Sequence, residues 1–140
     1  MPDRKQSVAG IAIDQAGRIF IARRKAGGDL GGKWEFPGGK VKAGESGEAA
    51  LRREYLEELG VSIETGSQLA AALFTHNGIQ FELQAYRVFL GSGPFTLAEH
   101  TRWRWATLGE IEKLDFAGSD RLLLPELQAY LEEQFRVHDR

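Results

Sequence analysis

Apolar positions gather in two short bursts near the start of the chain, residues 8–13 (VAGIAI) and 18–23 (RIFIAR), and both have the composition of strands. Between them Asp14-Gln15-Ala16-Gly17 suits a tight reversal, so the pair reads as a hairpin. Periodicity then disappears from 25 to 33, where glycines stand at 27, 28, 31 and 32, and this stretch reads as a mobile loop. In Trp34-Glu35-Phe36-Pro37-Gly38-Gly39, Pro37 fixes φ and two glycines open backbone angles closed to other residues, which predicts a constrained turn. A helix follows from the Ser46 cap to about residue 59, stopped by Gly60, with Ala49, Tyr55, Leu56 and Leu59 expected to face inward.

Residues 68–74 and 79–90 carry strand-forming residues on either side of a His76-Asn77-Gly78 turn, and Phe81, Leu83 and Ala85 alternate onto one face. The stretch 91–94 breaks the pattern, 103–106 reads as a short strand, and 108–114 as one or two helical turns. Leu122, Leu123, Leu127, Tyr130 and Leu131 recur at helical spacing and predict a last helix over 119–135, followed by a frayed tail. Strands, helix, strands, helix is the order of an α/β or α+β domain, with a mixed sheet between helices.

Composition narrows this picture. At 140 residues, 42% hydrophobic and 27% charged, the chain suits one domain spanning 1–140. A net charge of -2 supplies no global basic field, so a phosphate-bearing partner must meet a local patch or a metal, and no stable nucleic-acid complex is expected. There is no cysteine for a disulfide or thiolate site. The N-terminus lacks an apolar signal core, and no run approaches the ~20 apolar residues of a membrane span, so the expectation is a soluble cytoplasmic protein. Nothing points to a protein partner.

The chemistry concentrates in residues 39–61, GKVKAGESGEAALRREYLEELGV. On a helix Glu54, Glu57 and Glu58 stand at i, i+3 and i+4, which crowds three carboxylates onto one face. Glu57 and Glu58 also fall in the last turn, where the helix dipole favours cations and each anion costs roughly 0.3 to 1 kcal/mol. A hard divalent cation would relieve both penalties; Mg²⁺ suits an all-oxygen cluster and Mn²⁺ can substitute. None of His76, His100 and His138 has ligand spacing with another histidine.

This stretch resembles the Nudix box, G-x5-E-x7-R-E-U-x-E-E-x-G-U with U bulky and aliphatic. Gly39, Glu45, Arg53, Glu54, Glu57, Glu58, Gly60 and Val61 match it, and Tyr55 departs at an aliphatic position. The chain is similar to the MutT branch in 20–24 (FIARR), in 34–40 (WEFPGGK) and in Trp105 followed by Leu108-Gly109-Glu110. The resemblance implies the Nudix fold and metal-dependent hydrolysis of a nucleoside diphosphate linked to another group, and the leading reading is a nucleoside triphosphate cleaved to monophosphate and pyrophosphate. It implies metal ligation by Glu54, Glu57, Glu58 and the Gly38 carbonyl, with Glu54 first choice as general base. Arg53 would orient the carboxylates, Arg24 or Arg23 would clamp a phosphate, and Glu45 would tie the loop to the helix or touch the metal through a second shell of contacts. Related sequences place an acidic residue just before the late tryptophan, where this chain has Arg104; either Glu99 or His100 substitutes, or that carboxylate is missing here.

Substrate choice rests outside the box. MutT-like 8-oxo-dGTP hydrolases read the base with an asparagine at the position of Asp120 here, whereas CTP pyrophosphohydrolases of the same branch tend to carry aspartate. Ionised aspartate only accepts hydrogen bonds and so favours a donor edge such as the cytosine amino group. Phe36 and the residues near Phe74 would stack on the base. Removal of pyrophosphate from RNA 5′ ends, and nucleotide sensing without catalysis, are the alternative readings.

Overall fold

A computed structural model describes residues 4–136 of the chain. The tail from 137, with His138, lies outside the described residues. Seven strands and four helices follow in the order β1 (Lys5–Ala12), β2 (Ile19–Arg24), β3 (Trp34–Glu35), β4 (Gly38–Lys40), α1 (Gly47–Leu59), β5 (Glu64–His76), β6 (Ile79–Phe89), β7 (His100–Ala106), α2 (Leu108–Lys113), α3 (Gly118–Arg121) and α4 (Leu124–Arg136). One sheet has the order β4-β1-β6-β5 and the other β3-β2-β7. The β1–β6 pairing is parallel and the rest antiparallel, so the arrangement is the mixed α+β architecture expected.

Side-chain alternation along β1 explains the layering. Val8 and Ala12 face Leu51, Tyr55 and Leu59 of α1, whereas Ala9 and Ile11 face a second core containing Ile111, Leu123 and Leu127. A strand apolar on both faces belongs between two helical layers. Phe20 of β2 joins the α1 core while Ile19 and Ile21 join the other, so both sheets share both cores. No helix among the described residues is long and apolar enough to cross a membrane.

Several expectations need correction. The reversal at 14–17 is present, held by the Asp14 carboxylate accepting from the Ala16 and Arg18 N–H groups at 2.9 Å. Its flanking strands nevertheless diverge into different sheets and meet only at an Ile13–Ile19 bridge, because both edges of β1 are already taken by β4 and β6. Residues 34–40 form two short strands, one for each sheet, broken at Phe36-Pro37. The last helix splits at 122–123, since Pro125 has no N–H to continue the ladder and instead sits in the first turn of α4. Leu122 is consequently exposed, and Leu123, Leu124 and Leu127 are the buried positions. In α1 the inward face is Ala50, Leu51, Tyr55, Glu58 and Leu59; Leu56 faces solvent and Ala49 is half-buried.

Tyr55, the departure from the aliphatic pattern, is fully buried against Gly10 of β1. A Cβ at position 10 would overlap the Tyr55 hydroxyl, so the glycine makes room for it. That hydroxyl has no hydrogen-bond partner among the described residues. Tyr55→Phe should therefore raise stability to urea by about 1 kcal/mol. Gly10→Ala should lower it by about 1 to 3 kcal/mol, and Tyr55→Leu in the same chain should restore most of that loss, giving a double-mutant cycle with a clear coupling.

Candidate active site

Local capping delivers α1 to the site. The Ser46 hydroxyl accepts from the Ala49 N–H at 3.1 Å. At the other end the Gly60 N–H donates to the Leu56 carbonyl at 3.0 Å, and the Ala98 and Thr96 N–H groups donate to the Glu58 and Leu59 carbonyls at 3.1 and 2.9 Å. Peptide donors thus satisfy the orphan carbonyls, and the last turn carries carboxylates with no basic residue.

Arg53 is the counter-cation of this face. Its guanidinium grips Glu45 through two bonds, Nε to Oε2 at 2.8 Å and Nη2 to Oε1 at 2.9 Å. It also donates to Glu54 Oε1 at 2.6 Å, to Glu57 Oε2 at 3.4 Å and to the Lys40 carbonyl at 3.0 Å. One side chain therefore ties the loop before α1, the helix and β4 together, and Glu45 serves as the loop anchor. The Arg53 guanidinium and then the Lys42 N–H hold the Glu45 carboxyl down at about 2.

The three box carboxylates are not equivalent. The Glu58 side chain is 5% exposed, Glu54 17% and Glu57 55%, so the face runs from buried to solvated across the helix. Neither Glu58 oxygen has a hydrogen-bond partner among the described residues. Burial first, then the Glu54 and Glu35 carboxylates, push its pKa up to about 10, with Arg24 pulling the other way. A Cβ at position 39 would lie 2.8 Å from the Glu54 carboxyl carbon, so only glycine lets β4 approach that side chain. Buried oxygens without donors among the described residues, a second carboxylate and the half-buried backbone at Gly38–Gly39 form a donor set that fits a hard divalent cation.

Behind Glu58 lies a buried cluster. His100 Nε2 is 2.8 Å from Glu35 Oε2 and 3.7 Å from Glu58 Oε1, and Arg24 Nη1 reaches the same Glu35 oxygen at 3.1 Å. Of the two substitutes for an acidic residue at 104, His100 enters the acidic cluster while Glu99 is exposed. Arg104 pairs with Glu110 at 2.8 Å. Glu35 escaped the reading of the sequence; a carboxylate set between Trp34 and Phe36 in a strand was the available signal.

A cleft of about 660 Å³ opens beside these groups, and Arg24, Glu35, Phe36, Gly38, Phe74 and Asp120 are among its lining residues. Phe36 is nearly buried, with its ring edge-on to Phe116 at 5.0 Å, and Phe74 stacks on Phe81 at 5.1 Å. Arg23 does not line the cleft, since its Nε donates to the Gly32 carbonyl at 2.9 Å. Asp120 is buried, and its Oδ2 accepts from the Phe36 N–H at 2.9 Å. That contact follows from β3, whose Trp34 N–H and carbonyl bond to Asp115 and Ala117 and so pull the start of α3 against Phe36. Burial first, and then Glu35, raise the Asp120 carboxyl to about 7, against the lowering effect of the Phe36 N–H.

Comparison with known proteins agrees with this geometry. A family model described as the NUDIX domain matches residues 8–126. A provisionally named 8-oxo-dGTP diphosphatase 2 of Mycobacterium tuberculosis is 36% identical over 126 residues, 87% of each chain. The CTP pyrophosphohydrolase of Escherichia coli is 34% identical over 124 residues, 89% of this chain and 90% of that one. The solution structure of the E. coli ORF135 protein superposes with a TM-score of 0.81 at 34% identity, covering 91% of both chains.

Asp120 makes stability depend on pH. Its folded pKa of about 7 stands above the ordinary 3.8, so protonation favours the fold. The contribution is complete below about pH 4 and is lost as pH rises through about 7. Asp120→Asn keeps an oxygen for the Phe36 N–H and removes the titration. Urea unfolding without metal should show the variant gaining on the parent between about pH 4 and 8, by on the order of 2 to 4 kcal/mol; a difference flat across that range is the contrary result.

Proposed function

The chain belongs to the Nudix hydrolase family, and on that premise we propose that it cleaves nucleoside triphosphates to monophosphate and pyrophosphate with Mg²⁺, Mn²⁺ being a substitute. The observation that carries this reading is Glu58, buried beside Glu54 without a hydrogen-bond donor among the described residues, and 3.7 Å from His100, whose partner Glu35 lines a cleft of about 660 Å³. Glu54, Glu57, Glu58 and the Gly38 carbonyl are the proposed ligands. When bound, the ion neutralises phosphate oxygens and acidifies a water. Arg53 holds Glu54 through Oε1, which leaves Oε2 for a proton and keeps Glu54 first choice as general base. Arg24 takes the phosphate contact in preference to Arg23, because Arg24 lines the cleft. A cytoplasmic location accords with a chain without cysteine and with a nucleotide substrate.

Phe36 and Asp120 form the base-reading end. Ionised, Asp120 accepts only and suits the cytosine amino group; protonated, it offers an O–H to the O6 of an oxidised guanine. A pKa of about 7 populates both forms near neutrality. The relatives named for 8-oxo-dGTP and for CTP fall on the two sides of that choice.

Glu57→Gln should cut kcat by about 100-fold or more with an unchanged melting temperature, since Glu57 is exposed; full activity would sink the metal platform. Glu58→Gln should lose activity equally yet melt a few degrees higher without metal, because it removes a buried carboxylate with no donor. A panel of canonical, methylated and oxidised triphosphates, with triphosphorylated RNA as competitor, tests the substrate class through release of pyrophosphate. The kcat/KM ratio of 8-oxo-dGTP to dCTP should fall between about pH 6 and 8 and become flat in Asp120→Asn; a ratio equally steep in both proteins removes Asp120 from base selection.

A further inference from the structure

We propose that His100 is a positioning residue for the metal platform, holding Glu58 and Glu35 in place from behind without ligating the ion. The inference rests on the reading of Glu54, Glu57 and Glu58 as ligands. His100 opens β7, opposite Arg24 of β2 where that pairing shifts register. The segment before it is fixed on two sides, by Ala98 N–H to the Glu58 carbonyl at 3.1 Å and by Lys25 N–H to the Glu99 carbonyl at 3.1 Å. A side chain on so rigid a base has little freedom to wander, and this one is 0% exposed.

Its geometry separates support from ligation. Glu35 Oε2 lies 2.8 Å from His100 Nε2 and 3.1 Å from Arg24 Nη1. With Glu35 ionised, a contact of that length is made by a proton on Nε2, and a protonated nitrogen has no lone pair for a metal. Nδ1 has no partner among the described residues. The same Nε2 stands 3.7 Å from Glu58 Oε1, beyond hydrogen-bond reach, so the imidazole backs that oxygen by packing and charge while Glu35 takes its N–H. Outer partners of this kind typically govern metal affinity by about 10- to 100-fold. Glu35 extends the support to Arg24, so the phosphate-facing arginine and the metal-facing glutamate share one buried anchor.

Manganese binding to the metal-free protein, followed by electron paramagnetic resonance, tests this directly. His100→Ala should weaken Mn²⁺ binding by about 10-fold or more with the number of bound ions unchanged, and should raise the Mg²⁺ concentration for half-maximal rate while KM for nucleotide at saturating metal stays put. His100→Gln, whose amide N–H can replace Nε2–H, should recover most of the affinity. Undiminished binding in the alanine variant overturns the proposal, as does loss of a bound ion in both variants, which would make His100 a ligand. Nitrogen-15 correlation spectra of the wild-type imidazoles need no variant: the His100 Nε2 proton should persist through Mg²⁺ saturation, and its loss would likewise overturn the proposal. Wild-type protein that binds no Mn²⁺ would instead remove the metal platform itself, and this inference with it.

Discussion

One guanidinium holds the acidic face of α1 in a usable shape. Without Arg53, the carboxylates of Glu54 and Glu57 would repel one another toward the helix end that already repels anions, and Glu45 at the other end would lose its tie to the helix. With it, each is drawn to a shared cation, and the same fork fixes the Lys40 carbonyl. Arginine suits this task because its donors diverge in a plane and its charge is permanent. Contact with Glu45 pushes the guanidinium pKa further up, so it stays charged across any working pH.

Arg53 does not reach Glu58, and that omission sets Glu58 apart from the other box carboxylates. Glu58 loses water to the packing of α1 against β1 and receives no hydrogen-bond donor among the described residues in exchange. A buried carboxylate in that state favours a proton or a metal, which stores part of the folding free energy as affinity for a cation. The rest of the cleft answers a different demand. Arg24, Phe36 and Asp120 come from β2, from the break after β3 and from α3, and they meet only because Trp34 pairs with the segment 115–117. The carboxylate face and the cleft lining are therefore built by separate elements.

Much of the platform was legible along the chain because its geometry is local. The spacing of Glu54, Glu57 and Glu58, the Ser46 cap and the Gly60 stop are set by the pitch of one helix and its covalent neighbours. The strand segments were legible for the same reason, as the Asn77-Gly78 reversal between β5 and β6 illustrates, with both residues at positive φ. The divergence of β1 and β2 into different sheets was not, because it depends on which strands compete for the edges of β1. Leu56 was read as inward and Leu122 as part of an apolar helical spacing, and each turned outward once the neighbouring layer had chosen its face.

By itself, then, the sequence determined a helix bearing a ladder of carboxylates on an arginine, framed by glycines, and with it the class of chemistry. Tertiary structure decided which carboxylate would be dry. It also decided that His100 would meet Glu35 across 65 residues and that Asp120 would meet the Phe36 N–H across 84. Separations of that length leave no mark in local periodicity, and burial, which sets the charge state of Glu58 and Asp120, exists only when the layers close.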